Sequence, residues 1–250
     1  MDIALIYAAG SDVGRHRENN EDSAYAGAHL LAVADGMGGY AGGEVASSAV
    51  IGALRSSDVK VSAADLSRTL GDAVARAHTE LRRVVDDRPD LGRMGTTLTA
   101  MLWSGAQVAL AHIGDSRCYL LRRGELSQLT DDHTMDQLLG EGSGAPQLSH
   151  VLFRVLDGRP DRTPDLNMRT AEVGDRYLLC SDGLTDAVTD AAIAEVLTSA
   201  AEPADAVRRL IDVANAAGGP DNVTCVVADV AEAAGQKPPS PITVGAAALP

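Results

Sequence analysis

A change of hydrophobic period limits how this chain can fold more than any other feature. From Asp65 to Val85, apolar residues fall at Leu66, Leu70, Val74, Ala77, Leu81 and Val84, which is the spacing of one helix face. Beyond it the pattern shortens into the runs Leu98 to Trp103, Val108 to Ile113, Cys118 to Leu121 and Leu126 to Leu129. Ser104-Gly105 and Arg123-Gly124 supply turns between them, so this stretch predicts a meander of antiparallel strands. Further helices are expected from Gly42 to Leu54, with Val45, Ala49 and Ala53 on one face, from Asp190 to Ser199 and from Pro203 to Ala217. The last of these has proline near its start and Gly218-Gly219 at its end. Helices and antiparallel strands in one chain read as α+β.

Residues 2 to 9, Leu30 to Ala34, Arg176 to Cys180 and Val223 to Val227 complete the predicted strands. Residues 131 to 148 begin as a short helix and pass into a Gly-, Ser- and Pro-containing stretch, Gly140 to Pro146, read as a mobile flap. The 250 residues, 45% of them hydrophobic, suffice for one sizeable core, assigned to residues 1–230. From Ala231 to Pro250 the chain is rich in Ala, Gly and Pro with no amphipathic period, and it reads as a disordered tail.

Acidic residues outnumber basic ones by 35 to 21, which works against non-specific nucleic-acid binding and fits a site that collects cations. Cys118, Cys180 and Cys225 have no metal-type spacing and sit in apolar runs, so they read as reduced core residues of a cytoplasmic protein. The first residues lack the pattern of a signal peptide, and no apolar run is long enough to span a membrane.

Within this frame one arrangement recurs. The strand Leu30 to Ala34 ends in Asp35-Gly36-Met37-Gly38-Gly39, and the strand Arg176 to Cys180 ends in Ser181-Asp182-Gly183. Asp221 lies in Gly219-Pro220-Asp221-Asn222 before the last strand, Asp115 follows Gly114, and Asp186 lies one helical turn beyond Asp182. Carboxylates gathered in one place repel one another unless cations neutralise them. Oxygen-only ligation with no His or Cys cluster points to Mg²⁺ or Mn²⁺ rather than zinc. Two such ions about 3.5–4 Å apart serve phosphoryl transfer by clamping the attacking and leaving oxygens.

These motifs, with the run Arg17 to Asp22, Gly43-Glu44, Gly95-Thr96-Thr97, Gly114-Asp115-Ser116-Arg117, Leu129 to Thr134 and Ser181 to Asp186, match a family in order across residues 10 to 228. The chain resembles the metal-dependent serine/threonine protein phosphatases of type 2C, especially their bacterial members. The resemblance implies a four-layer α-β-β-α sandwich of two antiparallel sheets flanked by helices, with two core Mn²⁺ or Mg²⁺ ions and a weaker third at one end. It implies that Asp35 bridges two ions, that Asp182 and Asp221 complete the first, and that the Gly36 carbonyl helps hold the second. Glu21 and Asp22 would orient metal-bound waters, Arg17 would grip the substrate phosphate, and Asp115 and Asp186 would bind the third ion. A hydroxide between the two ions would attack phosphoserine or phosphothreonine in line, with no phosphoenzyme. The partners implied are phosphorylated proteins, among them serine/threonine kinases and their substrates, met by a monomeric enzyme with no membrane span.

Many animal relatives place a histidine where this chain has Met37, so the resemblance leaves the leaving-group acid without a side chain; water on a metal ion is the first candidate, and His133 reads as structural. A cysteine-dependent phosphatase needs arginine six positions after its cysteine, whereas Gly124, Asp186 and Ala231 occupy those positions. Ser116 and Ser181 lack the glycine-flanked elbow of a serine hydrolase. Two alternatives stay open: a catalytically weak regulatory module on the same fold, and a partner-switching phosphatase acting on a phosphorylated anti-sigma-factor antagonist.

Overall fold

A computed structural model describes residues 3–38, 42–91, 94–139, 151–159, 162–233 and 239–248. Gly39 and most of the expected flap, residues 140–150, lie outside the described residues. The chain opens with β1 (Ile3–Asp12), β2 (Asp22–Ala26) and β3 (Leu30–Met37), followed by the helices α1 (Gly42–Arg55) and α2 (Leu66–Asp87). The meander follows as β4 (Gly95–Thr96), β5 (Leu98–Ser104), β6 (Gln107–Ile113), β7 (Arg117–Arg122) and β8 (Glu125–Gln128). After α3 (Met135–Leu139) come β9 (Asp165–Thr170), β10 (Arg176–Cys180), the single turn α4 (Asp182–Thr185), α5 (Asp190–Ser199) and α6 (Pro203–Ala216). The last strands are β11 (Val223–Glu232) and β12 (Ile242–Gly245), and a 3₁₀ turn at Ala246–Ala248 ends the described chain. Among the described residues, no helix is long and apolar enough to cross a membrane.

The strands form two antiparallel sheets, one of five strands ordered β1-β11-β10-β7-β8 and one of seven containing β12-β2-β3-β5-β6-β9, with β4 paired to β3. Their faces explain why the central strands read as unbroken apolar runs. In β3, Leu30, Ala32 and Ala34 pack beneath α1 and α2, while Leu31 and Val33 point into the layer between the sheets. In β10, Tyr177 and Leu179 enter that layer from the other side, and Leu178 and Cys180 face α5 and α6. Both faces of each strand are buried, so alternation of side does not become alternation of polarity. The result is the four-layer α-β-β-α sandwich that the resemblance implies. Burial pushes the Cys118 thiol up to about 12 and raises the other two, and all three cysteines are free and buried.

The structure adds strands that the pattern did not predict and corrects one expectation. Besides β2, β9 lies in a stretch for which no element was expected, and it pairs with β6 from Gln107↔Thr170 to His112↔Asp165. The expected disordered tail is in its described part a strand: β12 pairs with β2 from Ile242↔Ala26 to Gly245↔Ser23, and the Tyr7 hydroxyl donates to the Pro239 carbonyl at 2.7 Å. The expected boundary at residue 230 therefore falls within β11, and the sheet takes in chain up to Gly245. Backbone groups on the free edge of β2 provide the partners, so this strand needs little apolar patterning of its own.

Candidate functional site

The inter-sheet layer changes character at one end. Following the same side-chain parity along each strand, Ala24 and Ala26 lead to Asp22, Leu31 and Val33 to Asp35, and Met101 and Trp103 to Thr99 and Thr97. Leu110 leads to His112, Tyr177 and Leu179 to Ser181, and Val226 to Thr224. Strand geometry keeps these positions on one face, so the apolar core becomes a buried polar floor without any change in the backbone plan. Asp22 and Asp35 stand opposite each other in the β2–β3 register.

That floor is tied together by hydrogen bonds. Ser181 Oγ donates to Asp22 Oδ2 at 2.7 Å and accepts from the Thr224 N–H at 3.0 Å. The Asp35 N–H donates to Thr97 Oγ1 at 3.0 Å, and the Asp35 carbonyl accepts from Thr96 Oγ1 at 2.7 Å and the Thr97 N–H at 2.9 Å. Asp35 thus has its backbone fixed on both sides while its carboxylate points into the mouth.

Above the floor lies a cleft of about 600 Å³ lined by Arg17, Glu21, Asp35, Gly36, Asp115, Asp182, Asp186 and Asp221, with Thr97, Met37, Leu152 and Val155 among its walls. All the acidic residues expected to act together, except Asp22, line this one space; Asp22 is 1% exposed and sits behind Asp35. The glycines after the aspartates are required by close approach. A Cβ on Gly36 would collide with the carbonyl oxygens of Gly43 and Glu21, and one on Gly183 would strike the Asn222 carbonyl.

Arg17 and Glu21 arrive on the loop between β1 and β2, which docks on the loop before β11. Arg17 Nη2 bonds Asp221 Oδ2 at 2.5 Å. Asn222 holds the rest: its Oδ1 accepts from the Glu21 N–H at 2.8 Å, and its Nδ2 donates to the carbonyls of Val13 and Asn19, each at 2.9 Å. Asn222 and Ser181 appear in the sequence motifs, yet sequence reasoning gave neither of them a role; their partners lie far away in the chain and are partly backbone groups. The signal was present in Asn222 following Asp221 directly.

The electrostatics record the crowding of like charge. Burial, then the charges of Asp22 and Asp182, hold the Asp35 carboxyl well above the carboxylate range, and a hydrogen bond joins it to Asp182. Burial and the nearby Asp182 and Asp221 push Asp22 up to about 7, against the hydrogen bond from Ser181. Burial and Asp182, Asp132 and Asp186 push Asp115 up to about 8, and burial raises Glu21. Such a set prefers either protons or cations.

The donors suit hard ions: carboxylate oxygens, with the Gly36 peptide at the same cleft and no thiol or imidazole lining it. Among the described residues, no three Asp, Glu, His or Cys side chains form a closed ligand group. Sites for Mg²⁺-like ions commonly use one or two carboxylates with several waters, so an open arrangement of separated carboxylates fits this chemistry. His133 is excluded from the cleft. Its Nδ1 accepts from the Gly114 N–H at 3.0 Å, its Nε2 lies 3.1 Å from Asp165, and it is 4% exposed.

Comparison with known proteins places this geometry. The protein phosphatase 2C family model matches residues 10–218, ending just short of Asp221. The serine/threonine protein phosphatase PstP of Mycobacterium tuberculosis is 52% identical over 237 residues, which are 92% of this chain and 46% of PstP, so the chain spans about half the length of that relative. The serine/threonine phosphatase stp of Listeria innocua is 33% identical, with 88% of this chain and 93% of stp aligned. The crystal structure of the PstP catalytic domain in complex with two manganese ions superposes with a TM-score of 0.87 at 53% identity, covering 92% of this chain and all of that one. Matching motifs, a shared sandwich and acidic residues gathered at one end of it agree: the chain belongs to the protein phosphatase 2C family.

Proposed function

We propose that this chain hydrolyses phosphoserine and phosphothreonine esters in proteins with the help of divalent cations, Mn²⁺ or Mg²⁺. The observation that carries the reading is the convergence of Asp35, Asp182 and Asp221 with Arg17 on a single cleft. In this reading Asp35 bridges two ions, Asp182 and Asp221 complete one site, the Gly36 carbonyl contributes to the other, and Asp115 with Asp186 holds a third, weaker ion. Ions bound there would act as Lewis acids on the phosphoryl oxygens and make water a nucleophile near neutral pH.

The chain's own groups do the rest. Arg17, bonded here to Asp221, offers planar donors that match a phosphate dianion once that carboxylate is neutralised. In this reading Glu21, which lines the cleft wall, and Asp22, which lies opposite Asp35, would orient water. Met37 has no proton to give and His133 is bound elsewhere, so departure of the serine or threonine oxygen is assisted by water rather than by either side chain. Phosphoproteins made by serine/threonine kinases are the substrate class, and a monomeric, cytoplasmic protein is the setting; the three free, buried cysteines support a reducing one.

The test is Mn²⁺-dependent release of phosphate from a phosphothreonine peptide by the protein and by Asp182→Ala. Loss of turnover on chelation and in the variant is expected. Equal, metal-independent rates would sink the reading and favour a regulatory module.

A further inference from the structure

The cleft does not end at the carboxylates. Met37 and Val155 form part of its wall and also line a second cavity of about 530 Å³, whose other lining residues are Val85, Met94, Gly95, Asp157 and Arg159. The two spaces therefore share a rim. The platform beneath that rim is built from adjacent segments: Met37 pairs with Gly95, and Thr96 exchanges two backbone hydrogen bonds of 2.9 Å with Leu156. A wall pinned in this way is already shaped before anything binds.

Its chemistry selects one kind of occupant. Met37, Val85, Met94 and Val155 are apolar, and Met94 is buried against the core beneath α1 and α2. The charged residues neutralise each other, since Arg159 Nε donates to Asp157 Oδ2 at 2.6 Å and its backbone N–H donates to Asp157 Oδ1 at 3.1 Å. A charged side chain entering here would lose water and find no unpaired counter-charge among the described lining residues, whereas a leucine, isoleucine or methionine side chain would lose only apolar contact with water. Three residues of extended peptide reach roughly 10 Å, enough to run from one cavity of this size into its neighbour.

We propose that this second cavity is a substrate subsite that takes an aliphatic side chain lying within three residues of the phosphorylated serine or threonine. It rests on the reading of the carboxylate cleft as a phosphatase site, and it adds a preference in the peptide that the cleft alone does not supply. Val85, Met94 and Val155 are its specificity-determining residues; Val85 and Met94 line this cavity and not the carboxylate cleft, while Val155 stands on the shared rim.

The experiment compares kcat/KM for phosphothreonine peptides carrying leucine, alanine, lysine or aspartate at single positions from three before to three after the phosphothreonine, with an aryl phosphate as the small substrate. Burying one aliphatic side chain corresponds to a gain of about tenfold or more, so leucine over alanine by that factor at one position is expected. The leucine-to-alanine ratio should fall toward one in Val85→Glu, and partly in the milder Val85→Ser, each checked by its melting temperature. Because a ratio is read within each variant, a general loss of activity does not mimic the result. Turnover of every peptide with no preference at any position overturns the subsite alone, as does a preference unchanged in Val85→Glu. No turnover of any peptide or of the aryl phosphate with Mn²⁺ overturns the phosphatase reading, and the subsite falls with it.

Discussion

Replacing Asn222 with alanine should unfasten the loop that carries Arg17 and Glu21 while leaving Asp35, Asp115, Asp182, Asp186 and Asp221 in the cleft. Asn222 is 4% exposed, and its amide makes three hydrogen bonds of 2.8, 2.9 and 2.9 Å to Glu21, Val13 and Asn19. Those partners flank Arg17 on both sides, so one side chain clamps both ends of the segment. At about 1 kcal/mol net for each bond, the variant loses roughly 3 kcal/mol. For a chain of this size that lowers the melting temperature by roughly 6–12 °C. The catalytic effect is separate, because a loosened Arg17 no longer meets the phosphate in a fixed pose, and kcat/KM on a phosphothreonine peptide should fall at least about tenfold. The assay is a thermal melt of the metal-free protein, with turnover measured well below both midpoints. Leu70→Ala, a fully buried core position on α2, serves as control, since it costs a comparable roughly 2–5 kcal/mol yet does not line the cleft. A melting temperature within 2 °C of the parent, or a loss of turnover no greater than that of Leu70→Ala, would refute the clamp.

Other outcomes follow from the same geometry. Asp35→Asn should weaken the binding of both core metal ions together, whereas Asp186→Ala should reduce only a weaker further binding event; calorimetric Mn²⁺ titrations that give indistinguishable losses would count against the assignment. Raising the pH from 6.5 to 8 should destabilise the metal-free protein. Asp22 and Asp115 titrate at about 7 and about 8 when folded, but near 3.8 when unfolded, so the folded state holds more protons across this range and stability falls as pH rises. The two together contribute about 2 kcal/mol of loss over that interval. His112, lowered to about 4 by burial, and His133, also lowered by burial, act with the opposite sign, mainly below the ordinary histidine pKa of 6.5, so above it they offset only part of the effect. Mn²⁺ should abolish the slope by replacing the protons, and a metal-free melting temperature that is flat or rises from pH 6.5 to 8 would contradict the electrostatics.

How much of this was legible in the sequence depended on where each element finds its partners. The helix Leu66–Asp87 and the central strands announce themselves because side chains bury them, and burial needs apolar residues at the right period. Asp35 and Asp182 were legible because close backbone approach demands glycine beside them, and glycine is visible in a sequence; Asp221, between Pro220 and Asn222, was legible from the Gly-Pro turn before the last strand. Among the elements that escaped, β2 lies inside the sheet with all five residues buried, but Asp-Ser-Ala-Tyr-Ala carries little apolar signal; β9 and β12 lie at the sheet's margins. β9 reads Asp-Leu-Asn-Met-Arg-Thr and leaves Leu166 and Met168 exposed, so hydrogen bonds to β6 hold it rather than any apolar face. β12 is four residues long and borrows the edge of β2. Ile242, Thr243 and Val244 are branched at Cβ, and that was its one available signal.

The polar end of the inter-sheet layer shows why fold and site could not be read apart. The parity that delivers Leu31 and Val33 to the core delivers Asp35 to the cleft, and the parity of Tyr177 and Leu179 delivers Ser181 beneath Asp22. Shifting any of these strands by one residue would exchange the two faces and place a carboxylate under the helices, so the register that forms the core also fixes the site. The cost is local. Asp22 and Asp35 stand face to face where apolar residues would have stabilised the layer; burial raises both carboxyls first, and the charge of Asp22 adds to the rise at Asp35. A fold that keeps such a pair needs the hydrogen bonds of Ser181, Thr96 and Thr97 to hold it in position. It also needs protons or cations to relieve it, which ties the stability of this end of the sandwich to pH in the metal-free protein and to the occupancy of its site otherwise.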